Sequence, residues 1–427
     1  MTSIERKTAA DGIVPSPTRA RLSLVLLLYF LGIITVITLA PFHFAVPRRF
    51  DVMTTGNWFD VIANVLLFLP LGFLYPLTRP AEREPSVVHV AVLGLILSGA
   101  IETTQLFEPD RFTSVIDLAT NATGAGLGAL FLAAVMARIR LNAQLVGRLS
   151  LEIPLMGLIY LLVPLLLVVS FSVATEPMRL IALVPLGLLG ARLISSVQQH
   201  HFAPSGLVGS RTIAAVAAGW MIVGTFPVIL RNPGVGTALV VLVALTTWFE
   251  SSRVAPAETG ERRFEAEALR GAVPYIATYF VVMIFLPLAL APSGWHFALG
   301  LTGAGNDIDR QQFQLLEPVA SLTVLGYLIA EARGRREQAL RSSGGRVAIE
   351  CGLMAMAIEA SRGFQQDMGA SGAQLALTVA AGVLGAGIYH SQREHVRWIL
   401  AHRAGSSRGN DATGHGERPR VARSGVD

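Results

Sequence analysis

Apolar runs of membrane length recur along the whole chain, separated by short polar segments. A helix needs roughly 20 largely apolar residues to cross a bilayer, within a range of about 17–25. That spacing predicts about twelve spans, near residues 22–40, 61–77, 87–104, 117–136, 150–172, 179–196, 211–230, 234–249, 272–291, 314–331, 347–361 and 372–390. The eighth and eleventh runs are the shortest. The first, Leu22–Ala40, exceeds the ~7–15 apolar residues of a signal peptide and runs straight into Pro41, so it reads as a retained helix. The fold class expected is an all-α membrane protein.

Basic residues test how those spans alternate between the two sides. With the amino terminus in the cytoplasm, 27 of the 34 Lys and Arg residues fall on the inside. Only Arg48, Arg49, Arg111, Arg179, Arg231, Arg310 and Arg362 fall outside. The bias holds at each successive pair of loops and predicts both termini inside. Charged residues make up 15% of the chain, against about 25% in a typical soluble domain. The net charge of +5 sits in these orientation signals and in a polar tail, so no nucleic-acid partner is expected. One cysteine, Cys351, excludes an intrachain disulfide framework and a cysteine-based metal site. His43 lies between two phenylalanines without the spacing of a metal centre. No nucleotide-binding, nucleophile-elbow or zinc-protease motif is present, so neither a metal nor a cofactor is expected.

The chain echoes itself. Residues 352–390 align without a gap on 95–133, matching Ile101–Glu102 with Ile358–Glu359, Phe107 with Phe364, Asp110 with Asp367 and Gly128 with Gly385. Upstream, Gly72 matches Gly326 and Pro41 matches Pro287. Both copies enter the membrane from the same side, so the duplication is parallel. The organisation read from this pattern has six parts. They are a cytoplasmic segment (1–21), a four-helix repeat (22–140), a four-helix insert with almost no intramembrane charge (141–249), a cytoplasmic linker (250–271), a degenerate second repeat (272–392) and a disordered tail (393–427).

Ionisable groups in membrane helices are rare and costly, which makes them functional candidates. In the first repeat the candidates are Asn64, Glu102, Gln105, Arg111, Asp117 and Asn121. Glu102 and Gln105 share one helix face, Asp117 and Asn121 share another, and Arg111 lies in the short loop between those helices. Two readings stand side by side. One is a headgroup-sized polar pocket at the outer leaflet, with Arg111 gripping phosphate or carboxylate. The other is a clamp that fixes the loop, with the amides as interhelical hydrogen bonds. At the equivalent positions the second copy carries Pro318, Arg362, Met368, Gln374 and Thr378, and so reads as scaffold or as half of a shared cavity.

The residues PFHF at 41–44, NVLLFLPLGFL at 64–74 and IETTQLFEPDRFTSVIDLATNATGAGLG at 101–128 resemble the VanZ-like family, over roughly residues 30–135. The carboxyl-terminal copy, near residues 275–390, is a degraded version of the same pattern. The resemblance implies a bacterial inner-membrane protein linked to the cell envelope, and connects it with low-level resistance to glycopeptides of the teicoplanin type. The leading expectation is a non-enzymatic module that binds membrane lipid or a lipid-linked envelope precursor at the outer leaflet. The alternatives are a transporter or flippase, and a lipid-headgroup enzyme using Glu102 or Asp117 as base.

Overall fold

The computed structural model of the protein describes residues 17–39, 44–46, 52–53, 58–79, 85–109, 113–141, 154–202, 209–253, 261–286, 294–300, 308–334, 340–365 and 369–413. The first four helices are α1 (Pro17–Leu39), α2 (Trp58–Leu77), α3 (Val87–Gln105) and α4 (Val115–Leu141). The next four are α5 (Pro154–Ser172), α6 (Leu180–Val197), α7 (Ser210–Arg231) and α8 (Pro233–Ser251). The last four are α9 (Glu261–Phe285), α10 (Ile308–Gly334), α11 (Leu340–Gly363) and α12 (Gly372–Thr413). The described residues also include a 3-10 turn (Pro177–Arg179), a π-helical turn (Gln198–Phe202) and four two-residue strands: β1 (Val52–Met53), β2 (Thr113–Ser114), β3 (Phe297–Ala298) and β4 (Ala370–Ser371).

Eleven of these helices are long and apolar enough to cross a membrane. The exception is α11, where Arg346, Glu350, Glu359 and Arg362 dilute an otherwise adequate length. The helices α8 and α9 leave a shorter connection than the linker read at 250–271, because α8 reaches Ser251 and α9 begins at Glu261. The tail also differs from expectation. Helix α12 continues to Thr413, beyond the boundary at 392, and the added stretch begins with good helix formers such as Arg393, Glu394, Arg397 and Leu400. Expectations for residues 1–16 and 414–427 lie outside the described residues.

Packing within the first four helices is set by small residues. A Cβ on Gly72 would overlap the carbonyl of Ala125, and one on Gly128 would overlap the carbonyl of Leu69, so α2 and α4 touch backbone to backbone. In a membrane, where lipid is as apolar as leucine, such close approach supplies the packing energy that a hydrophobic driving force cannot. The same construction recurs between α10 and α12, where Gly326 faces Gly382 and Gly385 faces the carbonyl of Thr323. It recurs at the strands too: β1 pairs in parallel with β2 (Val52 with Thr113), and β3 with β4 (Phe297 with Ala370).

The segment read as an insert is no satellite. In α5, α6 and α10, 72% of the spanning residues are buried, against 28–44% in the other spans. Leu158, Leu162, Leu165 and Leu166 of α5 and Leu183, Leu186 and Leu189 of α6 are fully enclosed. Helix α5 packs on α10 and α6 packs on α9. The outward faces of the peripheral helices carry Leu24, Leu28, Ile96, Leu130 and Phe131, as lipid contact requires.

Candidate functional site

Glu102 lies in the last turn of α3 and is buried. Its Oε2 accepts the backbone N–H of Ser114 at 2.8 Å, immediately before α4 begins. The Glu102 backbone carbonyl accepts the Thr113 hydroxyl at 3.3 Å. A carboxylate at that point satisfies a backbone donor that the helix leaves without a partner and complements the positive end of its dipole. Ser114 extends the junction, since its Oγ accepts the Asp117 N–H at 3.4 Å. Together these contacts hold the loop between α3 and α4 against the end of α3.

Two further candidates are committed in the same manner. Gln105 donates from Nε2 to the carbonyl of Thr38 at 2.9 Å, tying α3 to the end of α1. Asn121 donates from Nδ2 to Ser98 Oγ at 2.9 Å across the α3–α4 interface. Its Oδ1 is buried without a hydrogen-bond partner. Asp117 and Asn64 differ from these three in being less buried. Both are half-buried, the Asp117 carboxylate is hydrogen-bonded by the side chains of Asn64 and Ser114, and Asp60 lies close enough to interact with it electrostatically. Asp60 is exposed at the start of α2. Arg111 and His43 lie outside the described residues.

The sequence flagged neither Asp60, Ser98 nor Ser114. Asp60 sits in the first turn of α2, an ordinary place for an acid, and Ser98 and Ser114 carry no charge that marks them. Among the described residues no three His, Cys, Asp or Glu side chains gather in a geometry suited to a metal ion.

The second half repeats the junction with different chemistry. Glu359 Oε2 accepts the Ser371 N–H at 2.8 Å, as Glu102 does for Ser114. The Ser361 hydroxyl donates to the carbonyl of Ile284 at 2.6 Å, closing the contact that Gln105 makes to Thr38. Where the first half has Asp117 and Asp60, the second has Gln374 and Gln314, joined by a bond from Gln374 Nε2 to the Gln314 carbonyl at 2.8 Å.

Around these amides lies an ion-pair network that the sequence reading did not anticipate. Arg179 Nε binds Glu176 Oε2 at 2.9 Å, and its Nη1 lies 3.0 Å from Glu317 Oε2. Tyr279 donates to Glu317 Oε1 at 3.1 Å. Arg362 Nη1 binds Glu359 Oε1 at 3.2 Å. Glu176 and Arg179 belong to the turn between α5 and α6, and Arg192 of α6 pairs with Glu250 at the end of α8 at 2.8 Å. Arg179 and Arg362, counted among the outer loop charges, are buried and paired. Pairing is what makes their burial tolerable in an apolar bundle.

Residues 13–138 match the VanZ/LLP1 family model. No curated protein and no solved structure matches the chain.

Proposed function

With the first four helices taken as a VanZ-like unit, we propose that this multi-pass membrane protein binds a lipid or lipid-linked envelope component at the outer leaflet. The docking point is the α2–α4 edge formed by Asp60, Asn64 and Asp117, with Arg111 contributing from the adjoining loop. The observation that carries this reading is the division of labour among the polar residues. Glu102, Gln105 and Asn121 are buried and bonded to neighbouring helices or loops, whereas Asp117 and Asn64 are half-buried beside the exposed Asp60. Two carboxylates and an amide suit a headgroup rich in hydroxyl or amine donors. Arg111, in the sequence between α3 and α4, would add a grip on phosphate.

The recurrence of the Glu–Ser junction, the glycine contacts and the parallel strand pairs supports reading residues 272–392 as a second copy of the unit. A bacterial inner-membrane location with both termini cytoplasmic, and a part in glycopeptide resistance of the teicoplanin type, belong to the same proposal. One observation favours a second reading: Asp117 next to Asp60 is a carboxylate pair suited to headgroup hydrolysis or transfer, with Asp117 as base. Glu102 already holds the Ser114 N–H through Oε2 and is the more buried of the two acids, which favours Asp117 for that role.

The test is native mass spectrometry of the detergent-purified chain from its membranes, as wild type and as Asp117→Asn and Arg111→Ala. A defined lipid retained by the wild type and lost from both variants supports the site. Equal, unselective retention in all three overturns it. Conversion of that lipid by the wild type, abolished in Asp117→Asn, selects the enzymatic reading.

A further inference from the structure

The network in the second half borders a partly open cavity of about 20 Å³ lined by Arg179, Gln314, Glu317, Arg362 and Gln365 together with the apolar Met283, Pro318 and Ile358. A volume of this size admits one water-sized polar group. We propose that this cavity is a second ligand site, which seats an uncharged hydroxyl of a glyceryl or glycosyl headgroup.

The charge inventory decides the class. Arg179 and Arg362 face three carboxylates, Glu176, Glu317 and Glu359, and each guanidinium already has a partner. An added anion would meet neutralised arginines and an excess carboxylate in a low-dielectric site, where like charges repel strongly. An ammonium group would lie against two guanidinium groups lining the same space. A neutral group escapes both penalties.

The unsatisfied atoms specify what that neutral group must offer. Gln314 Oε1 and Gln365 Oε1 are buried carbonyl oxygens without a donor, on side chains that line the cavity. Arg179 Nη1 lies beside Glu317 in a geometry that makes no hydrogen bond. The amide nitrogens hold only long bonds, Gln314 Nε2 to Glu176 Oε1 and Gln365 Nε2 to Ser361 Oγ, both at 3.4 Å. A hydroxyl donates to an amide carbonyl and accepts from the guanidinium, so it satisfies both kinds of orphan. Buried polar groups left without partners cost free energy until something supplies them. The insert completes the site, since Arg179 comes from the turn that opens α6.

The proposal does not rest on the Asp117 site. It is tested by native mass spectrometry of the full chain, delipidated and then offered equimolar phosphatidylglycerol, monoglucosyl diacylglycerol and phosphatidylethanolamine. Retention of the glyceryl or the glucosyl lipid about tenfold over phosphatidylethanolamine is expected, the difference of roughly one well-made bond. Which of the two is retained identifies the source of the hydroxyl, and competition by free glycerol assigns it to solvent. Gln314→Leu and Gln365→Leu are expected to abolish the preference while leaving the chain folded, since each removes an orphan carbonyl and only one long amide bond. Asp117→Asn is expected to leave the preference intact. Equal retention of all three lipids by the wild type, preferential retention of phosphatidylethanolamine, or an unchanged preference in both leucine variants overturns the proposal.

Discussion

Replacing Glu102 separates its role as a backbone acceptor from any chemical role. In Glu102→Ala the Ser114 N–H loses the acceptor it meets at 2.8 Å. An unpaired buried donor costs about 1–3 kcal/mol. The lost negative charge at the start of α4 adds about 0.3–1 kcal/mol. The sum is a destabilisation of about 1.3–4 kcal/mol. Glu102→Gln keeps an acceptor oxygen of nearly the same reach and gives up only the charge-assisted part, about 1 kcal/mol. Glu359 provides the internal comparison. Its Oε2 holds Ser371 in the same geometry, but its Oε1 also pairs with the buried Arg362. Glu359→Ala therefore leaves a buried guanidinium without its partner as well, and breaking such a pair costs about 3–5 kcal/mol. The expected order of damage is Glu359→Ala, then Glu102→Ala, then Glu102→Gln. The assay is equilibrium unfolding of the purified chain in mixed micelles with a rising mole fraction of sodium dodecyl sulfate, read from tryptophan fluorescence. If Glu102→Ala unfolds at the wild-type midpoint, or Glu102→Gln is as damaging as Glu102→Ala, the acceptor argument is wrong.

Two more predictions concern packing. The helix contact that has Gly94 against Ala125 in the first half has Cys351 against Gly382 in the second, with the larger side chain exchanged between helices. Gly382→Ala is expected to destabilise by about 1–3 kcal/mol through overpacking, and Cys351→Gly in the same chain is expected to restore most of it. A double-mutant cycle with no coupling would sink the equivalence. Cys351 itself is fully buried, so a water-soluble maleimide should not label it in native micelles but should label it stoichiometrically after unfolding. Native labelling at the rate of a free thiol would contradict the packing of α11 on α12.

What the sequence revealed follows from how far each signal acts. Length and apolarity of the runs depend only on local composition, and the helices stand where they were expected. Glu102 was visible as an acid in an apolar helix, but its partner is a backbone N–H twelve residues on, and no side-chain pattern advertises a backbone donor. Gln105 was read beside Glu102 because three residues separate them, whereas its actual partner is the carbonyl of Thr38. Glu317 was legible by the rule that singled out Glu102, since it falls inside the predicted span 314–331. Its counterpart in the first repeat is the apolar Ala63, so the comparison of the two copies does not mark it. Its partner Arg179 lies far away in the sequence and looked like an ordinary loop charge. Long-range pairing of this kind has no period, and only the folded chain brings it to view.

The clasp made by β1 and β2, and again by β3 and β4, has a consequence for how such a chain can grow. Each clasp joins the loop after the first helix of its unit to the loop before the fourth, so each unit closes on one side of the bilayer. Arg179 at the head of α6 reaches Glu317, the tenth residue of α10, so the head of α6 lies beside the first turns of α10. Four helices separate the two units. An even number returns the chain to the side from which it left, and an odd number would have turned the second unit upside down. Parity is thus a rule of inheritance here: helices can be added or lost between the clasps only in pairs.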